Sequence, residues 1–165
     1  MPLQLKMTIN GLDKASDELL RAVSIGEANG LETIGIEGAR LVASMTPVGA
    51  TGNLVAGMIF EVHGTAVEIF ATPPADVYSE PVDLGTKPHF PPTDQLLLWV
   101  KKKFGVTDEK QARSIAFLIA RKISKRGTKP VLMFERAFDQ LQQQGPEILE
   151  AEVAKAVQAA GFGGQ

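Results

Sequence analysis

The chain opens on an alternation. Leu3, Leu5, Met7 and Ile9 are apolar while Gln4, Lys6 and Thr8 are polar, the period-2 pattern of a half-buried strand, and Asn10-Gly11 then predicts a turn. From residue 12 to residue 45 there is no proline, and Leu19, Leu20, Val23, Ile34, Leu41, Val42 and Met45 recur at helical spacing, which predicts one long helix. Gly26, Gly30, Gly35 and Gly38 lie inside it. Each weakens an exposed helix by about 1 kcal/mol relative to alanine. They predict either a kink or break at 26–30, or a small-residue face on which another helix or subunit packs closely.

Pro47 ends this helix and 48–52 is a loop rich in breakers. Residues 54–63 and 65–72 are rich in β-branched and aromatic side chains and are separated by Gly64, so they predict an antiparallel hairpin. Pro73-Pro74 stops the second strand. Residues 77–84 read as a further short edge strand, a position that tolerates Pro81. The stretch 77–92 holds four prolines and the Gly85-Thr86 pair, and is expected to be a stiff, mostly extended connection presented at the surface.

Beyond it the period becomes helical. Thr93 or Asp94 caps a helix with Leu96, Leu97, Trp99, Val100 and Phe104 on its core side, ended by Gly105. Thr107 or Asp108 caps the next, with Ala112, Ile115, Ala116, Ile119, Ala120 and Ile123 on one side and Gly127 as its stop. Gly127-Thr128-Lys129-Pro130 then repeats Gly85-Thr86-Lys87-Pro88. Four residues make no internal repeat, but both copies follow the end of an element, and residues 93–127 read as a helical hairpin inserted in a smaller core. Pro130 starts a helix through residue 144, burying Val131, Phe134, Ala137, Phe138 and Leu141; Pro146 starts a last one through residue 160, and 161–165 are expected to fray. The expected class is a single α+β domain over 1–165: an N-terminal strand and long helix, a small antiparallel sheet, the helical-hairpin insertion and C-terminal helices.

Composition adds exclusions. The chain has no cysteine, which removes disulfides, thiolate zinc sites and thiol nucleophiles. Its first ten residues lack the basic-then-apolar order of a signal peptide, and no apolar run approaches the roughly 20 residues of a membrane helix, so a soluble protein made in a cytoplasm and without a membrane partner is expected. Charge is more informative. Lys101, Lys102, Lys103, Lys110, Arg113, Arg121, Lys122, Lys125, Arg126 and Lys129 face only Asp108 and Glu109 within 101–129, a local charge of +8 that leaves −10 on the rest of a chain whose total is −2. Separated signs suit contact with a polyanion or head-to-flank contact between copies.

Candidate chemistry is sparse. His63 and His89 are the only histidines; Glu61 shares a strand face with His63, but neither histidine has the ligand set of a zinc site or the positioned partner of a general base. No serine sits in a nucleophile elbow, and no glycine cluster has phosphate-loop spacing. Glu80 and Asp83 read as solvated or hydrogen-bonding acids in a presented loop. Trp99 and Phe104 beside the lysine triplet read as core by their spacing rather than as a stacking platform for nucleic acid. Neither an enzyme nor a cofactor is expected.

The motifs carry a resemblance. Thr46-Pro47-Val48 and Thr51-Gly52-Asn53-Leu54 after a long helix, then Tyr78-Ser79, Asp83-Leu84-Gly85-Thr86, Pro91-Pro92 and Phe134-Glu135-Arg136-Ala137-Phe138, together resemble the neck or tail-completion proteins of long-tailed bacteriophages, often called minor tail components. The likeness spans about residues 3–142 and is greatest to members with a tryptophan-bearing helical insertion. Asp83 stands where the family has glutamate, Leu84 where it has an aromatic residue and Ser79 where it has alanine, and three residues rather than two separate Pro47 from Thr51. The resemblance implies a non-enzymatic virion protein that assembles as a ring of six copies at the neck or head-proximal tail end. Its partners would be its own copies, the adjacent neck and tail proteins, and genomic DNA passing through the lumen without sequence-specific binding. It also implies an assembly interface at Thr51, Gly52, Leu54, Tyr78, Asp83, Gly85, Thr86, Pro88, Phe90 and Pro92. Lys101, Lys102, Lys103, Arg113, Arg121, Lys122, Lys125 and Arg126 are expected to make electrostatic contacts with protein and not to form the main lining of the lumen. Gly85 is expected at a positive-φ turn, where Gly85→Val would leave the monomer folded and stop assembly. The alternative is a DNA-binding accessory protein using the basic segment 101–129.

Overall fold

The computed structural model describes residues 12–162; the predicted strand at 3–9, the turn after it and residues 163–165 lie outside the described residues. The fold is α+β. In chain order it runs α1 (Leu12–Met45), α2 (Asn53–Ala56), β1 (Met58–His63), β2 (Ala66–Ala71), α3 (Asp76–Asp83), α4 (Thr93–Phe104), α5 (Glu109–Arg126) and α6 (Met133–Ala159).

The glycines of α1 resolve in favour of close packing, since α1 is continuous and α6 lies antiparallel along it. A Cβ on Gly26 would stand 2.5 Å from the Val153 Cα, one on Gly30 2.7 Å from Leu149 Cδ1, and one on Gly38 2.8 Å from Leu141 Cδ1. These contacts advance by four and then eight residues up α1 and by the same steps down α6. Glycine is required here because the Val153 backbone meets Gly26 and the Leu149 and Leu141 side chains fill the space beside Gly30 and Gly38, and the lost helix propensity is offset by contact along the seam.

The same seam explains why Pro146 does not start a new helix, as its position in the sequence suggests. α6 runs through it. Pro146 removes one donor, that to the Gln142 carbonyl, and the preceding Gly145 is buried with room for its turn beside Ile34. Packing on both sides of the proline holds the axis together. The C-terminus of α6 is capped rather than frayed at 161–162: Gly161, at φ 85°, donates to the Gln158 carbonyl and Phe162 donates to that of Val157, a Schellman closure.

The sheet packs one face on α1. Met58, Phe60 and Val62 pair with Ala71, Ile69 and Val67, and Phe60 and Ile69 meet α1 at Gly35 and Gly38. The other face carries Glu61 opposite Glu68, like charges set across the ladder, with His63 Nε2 3.1 Å from Glu61 Oε2. Residues 54–56, read as the start of a strand, instead belong to the single turn α2. Gly52 adopts φ 75°, its carbonyl accepts from Ala56, and Thr51 Oγ1 accepts from the Asn53 N–H.

The edge strand expected at 77–84 is the helix α3. The Ala75 carbonyl accepts from Tyr78 and Ser79, Ser79 Oγ donates to the Asp76 carbonyl, and exposed Pro81 forfeits only the bond to the Val77 carbonyl. Local hydrogen bonds win over the proline, and only 84–92 remains an irregular connection.

Two apolar clusters hold the described residues. One joins Val42, Met58, Ala71, Ala75, Met133 and Ala137 across α1, the sheet and α6. The other, Val100, Ala112 and Ala116, lies between α4 and α5. Asp108 starts α5 by accepting from the Gln111 N–H at 2.7 Å, and Gly105 ends α4 at φ 63°. Two aromatic residues expected in the core are exposed: Phe104 packs edge-on against Trp99 at the rim of the hairpin, and Phe138 borders a depression that it lines with Val42, Val67 and Ile69. Met133, fully buried, fills the centre instead.

Candidate assembly surface

The two Gly-Thr-Lys-Pro copies bind each other. Thr86 and Thr128 form an antiparallel bridge in which each N–H donates to the other's carbonyl, at 3.3 and 3.1 Å, and their hydroxyls lie 3.1 Å apart. The Thr86 hydroxyl also accepts from the Thr128 N–H. Both glycines are needed at positive φ, 73° for Gly85 and 65° for Gly127. A Cβ on Gly85 would fall 2.5 Å from the Thr128 carbonyl oxygen, and one on Gly127 would fall 1.8 Å from that of Thr86. The ends of the α4–α5 hairpin are thereby pinched into one neck.

This corrects the expectation for Gly85→Val. The turn is where the sequence places it, but its tightest neighbour is the chain's own backbone, so the substitution disrupts the monomer's neck before any contact between copies is tested.

Asp83 is buried rather than presented. Its backbone carbonyl accepts from Val131 and Leu132 at 3.0 Å, and its Oδ1 accepts from the Phe134 N–H at 3.2 Å. Phe134 is the second residue of α6, and Leu132 at the cap position has φ 56° and no side-chain acceptor of its own. Asp83 therefore caps α6 from another helix, where a carboxylate also meets the positive end of the helix dipole. The aspartate of the motif is accounted for as internal architecture. Thr46, the first residue of the same set, is buried too: its hydroxyl donates to the Val42 carbonyl at 2.6 Å and lies 3.1 Å from Met133 Sδ.

The remaining motif residues divide. Leu54 packs against the main cluster. Tyr78, Pro88, Phe90 and Pro92 are exposed, with the Phe90 ring tilted against that of Phe117 on α5 at a centroid distance of 6.1 Å. Around Tyr78, Val77 and Leu84 are exposed as well, which the alternation read as a strand did not single out.

The basic residues also divide. Lys101 hydrogen-bonds Glu109, and Arg113 bridges Glu109 at 3.1 Å and Asp94 at 3.5 Å, tying α4 to α5. The Lys101 ammonium, through its hydrogen bond and its charge, holds the Glu109 carboxyl below its ordinary value, and Arg113 adds to this. Lys102 donates to the Ala50 carbonyl in the loop before Thr51. Among the described residues no carboxylate pairs with Lys103, Arg121, Lys122, Lys125 or Arg126. Leu118, Arg121, Lys122, Lys125 and Arg126 line an open depression of about 370 Å³ on the outer side of α5.

Among the described residues no three acidic or histidine side chains gather as a metal site, and no helix is long and apolar enough to cross a membrane. Comparison with protein-family models, with curated proteins and with solved structures found no match.

Proposed function

We propose that this chain is a structural virion protein of a tailed phage, forming a ring at the neck or head-proximal tail end and completing the tail for joining to the head. The observation that carries this reading is the ordered set of motifs at 46–54, 78–86, 91–92 and 134–138. The exposure of large apolar side chains on the elements that bear those motifs, Tyr78, Phe90 and Phe138 among them, is consistent with surfaces that are covered on assembly. On this reading the protein is not an enzyme, DNA passes it without sequence-specific contact, and neighbours are its own copies and the adjacent neck and tail proteins. The test is to measure the mass of the purified protein across a concentration series and to search phage particles for it by mass spectrometry. Association into a closed oligomer and presence in particles are expected; a protein that stays monomeric throughout and is missing from particles overturns the reading.

A second reading has one observation in its favour: the unpaired basic depression on α5 suits phosphate contact by a DNA-binding accessory protein. Duplex binding that weakens steeply with salt would favour it, and no binding at low salt removes it.

A further inference from the structure

Two exposed helical faces of this chain have opposite charge and matching apolar content. On α5, Phe117, Leu118, Arg121 and Lys125 recur at three- and four-residue spacing on the side away from buried Ala112, Ala116 and Ala120. On α3, Val77 and Glu80, with Leu84 at its C-cap, do the same on the side away from Ala75 and Val82, which pack in the main cluster. Leu118 and Val77 are 61% and 70% exposed, and Phe117 and Leu84 51% and 60%, so neither helix covers the other within one chain.

The charges on these faces have no local use that accounts for them. Asp76 in the first turn of α3, and Lys125 and Arg126 in the last turn of α5, suit the dipoles of their own helices. Glu80 sits in the second half of α3, where the dipole gives a carboxylate nothing, and Arg121 sits in the interior of α5; among the described residues neither has an ion-pair partner. Each is flanked on its own face by large exposed apolar side chains, an apolar centre with a charged rim.

We infer that the outer face of α5 in one copy docks on the outer face of α3 in a second copy, with Phe117 and Leu118 against Val77 and Leu84 and with Arg121 and Lys125 against Glu80. This rests on the proposal that the chain self-assembles, and adds which faces meet. Charge complementarity selects a second copy as the occupant. It also selects the symmetry: a two-fold contact of α5 with α5 would set Arg121 and Lys125 against their own kind, and one of α3 with α3 would do the same for Glu80, whereas α5 on α3 pairs opposite signs. The contact is therefore heterologous, and each copy has one free donor face and one free acceptor face for the next.

The test uses two full-length variants, R121E/K125E with the α5 face reversed and E80K with the α3 face reversed, each checked for unchanged far-ultraviolet circular dichroism. Each alone is expected to need at least about tenfold more protein than wild type to associate. Mixed, the intact face of one meets the intact face of the other and the two reversed faces also meet with opposite signs, so the expected product is a mixed assembly in which the variants alternate one to one. A chain carrying all three substitutions regains opposite signs and is expected to associate more readily than either variant. If wild type associates and both variants match it, the faces are wrongly assigned while self-assembly stands. Folded variants that yield no mixed assembly on combination also overturn the assignment, as does loss of duplex binding by R121E/K125E with association unchanged, which gives the α5 face to DNA. Wild type that never associates removes the proposed self-assembly itself, and this contact with it.

Discussion

Both helical pairs in this molecule bring their axes close by placing small residues at spacings of four or eight positions, yet they do it with different residues. The α1–α6 seam uses Gly26, Gly30 and Gly38, where an added Cβ would meet the other helix at 2.5 to 2.8 Å. The α4–α5 hairpin uses Ala112, Ala116 and Ala120, whose methyl groups are themselves buried. The glycine seam has lost both helix propensity and apolar volume, and is held by its length and by the sheet packed on α1. The alanine hairpin is short and retains both, which suits a unit with its own cluster at the end of a narrow neck.

The single tryptophan makes this comparison measurable, because Trp99 belongs to the hairpin while most helical residues belong to α1 and α6. The largest effect is expected from Gly26→Val. Its side chain enters the Val153 backbone, and overpacking of this kind should cost about 3 kcal/mol, lowering the urea midpoint followed by far-ultraviolet circular dichroism while Trp99 fluorescence holds its transition. Coincident shifts of both probes would show that the two regions unfold as one unit.

Gly127→Ala should come next. Its φ of 65° and ψ of −160° belong to glycine, and its Cβ would overlap the Thr86 carbonyl, for a cost of about 2–3 kcal/mol. Because the neck joins both regions, each probe should move. Ala116→Gly should then cost about 1–2 kcal/mol through helix propensity and a lost buried methyl, and should move the Trp99 transition alone.

The smallest effect concerns Glu109. Its carboxyl is held below the ordinary value of 4.5 in the folded state, so the stabilisation is present above about pH 4.5 and is lost as the pH falls through the lowered folded value. Glu109 is exposed and the effect should be slight. Glu109→Gln should flatten the acid limb of the Trp99 transition without altering that of the circular dichroism signal; an unchanged acid limb would mean the Lys101 and Arg113 contacts do not persist in solution.

Parts of this design could be read from the sequence. The absence of proline from 12 to 45 fixes the extent of α1, and Asp108 and Gly127 mark the ends of α5, because caps and breakers act locally. What those glycines face could not be read, since Val153 and Leu149 lie more than a hundred positions away. Single-residue rules misled at Pro146, carried through by packing along α1, and at Pro81, where the local hydrogen bonds of α3 outweigh one exposed proline. Asp83 looked like a presented acid because its partner, the Phe134 N–H, belongs to an element that starts fifty residues later. The apolar residues Phe117 and Leu118 did leave a signal: they depart from the alanine and isoleucine side of α5.

The Thr86–Thr128 bridge also bears on the order of folding. It closes a span of 42 residues, and joining the ends of a loose chain of that length costs more entropy than joining those of a short one. Once α4 and α5 have paired, the flexible path between the two threonines shrinks to roughly ten residues, which reduces that cost by about 1 kcal/mol. A hairpin built from local contacts forms fast. Folding should therefore run outward to inward: the arm pairs first, the threonines then meet across the neck, and only that meeting brings Asp83 to the start of α6, so that the last long helix is capped after the inserted one is complete.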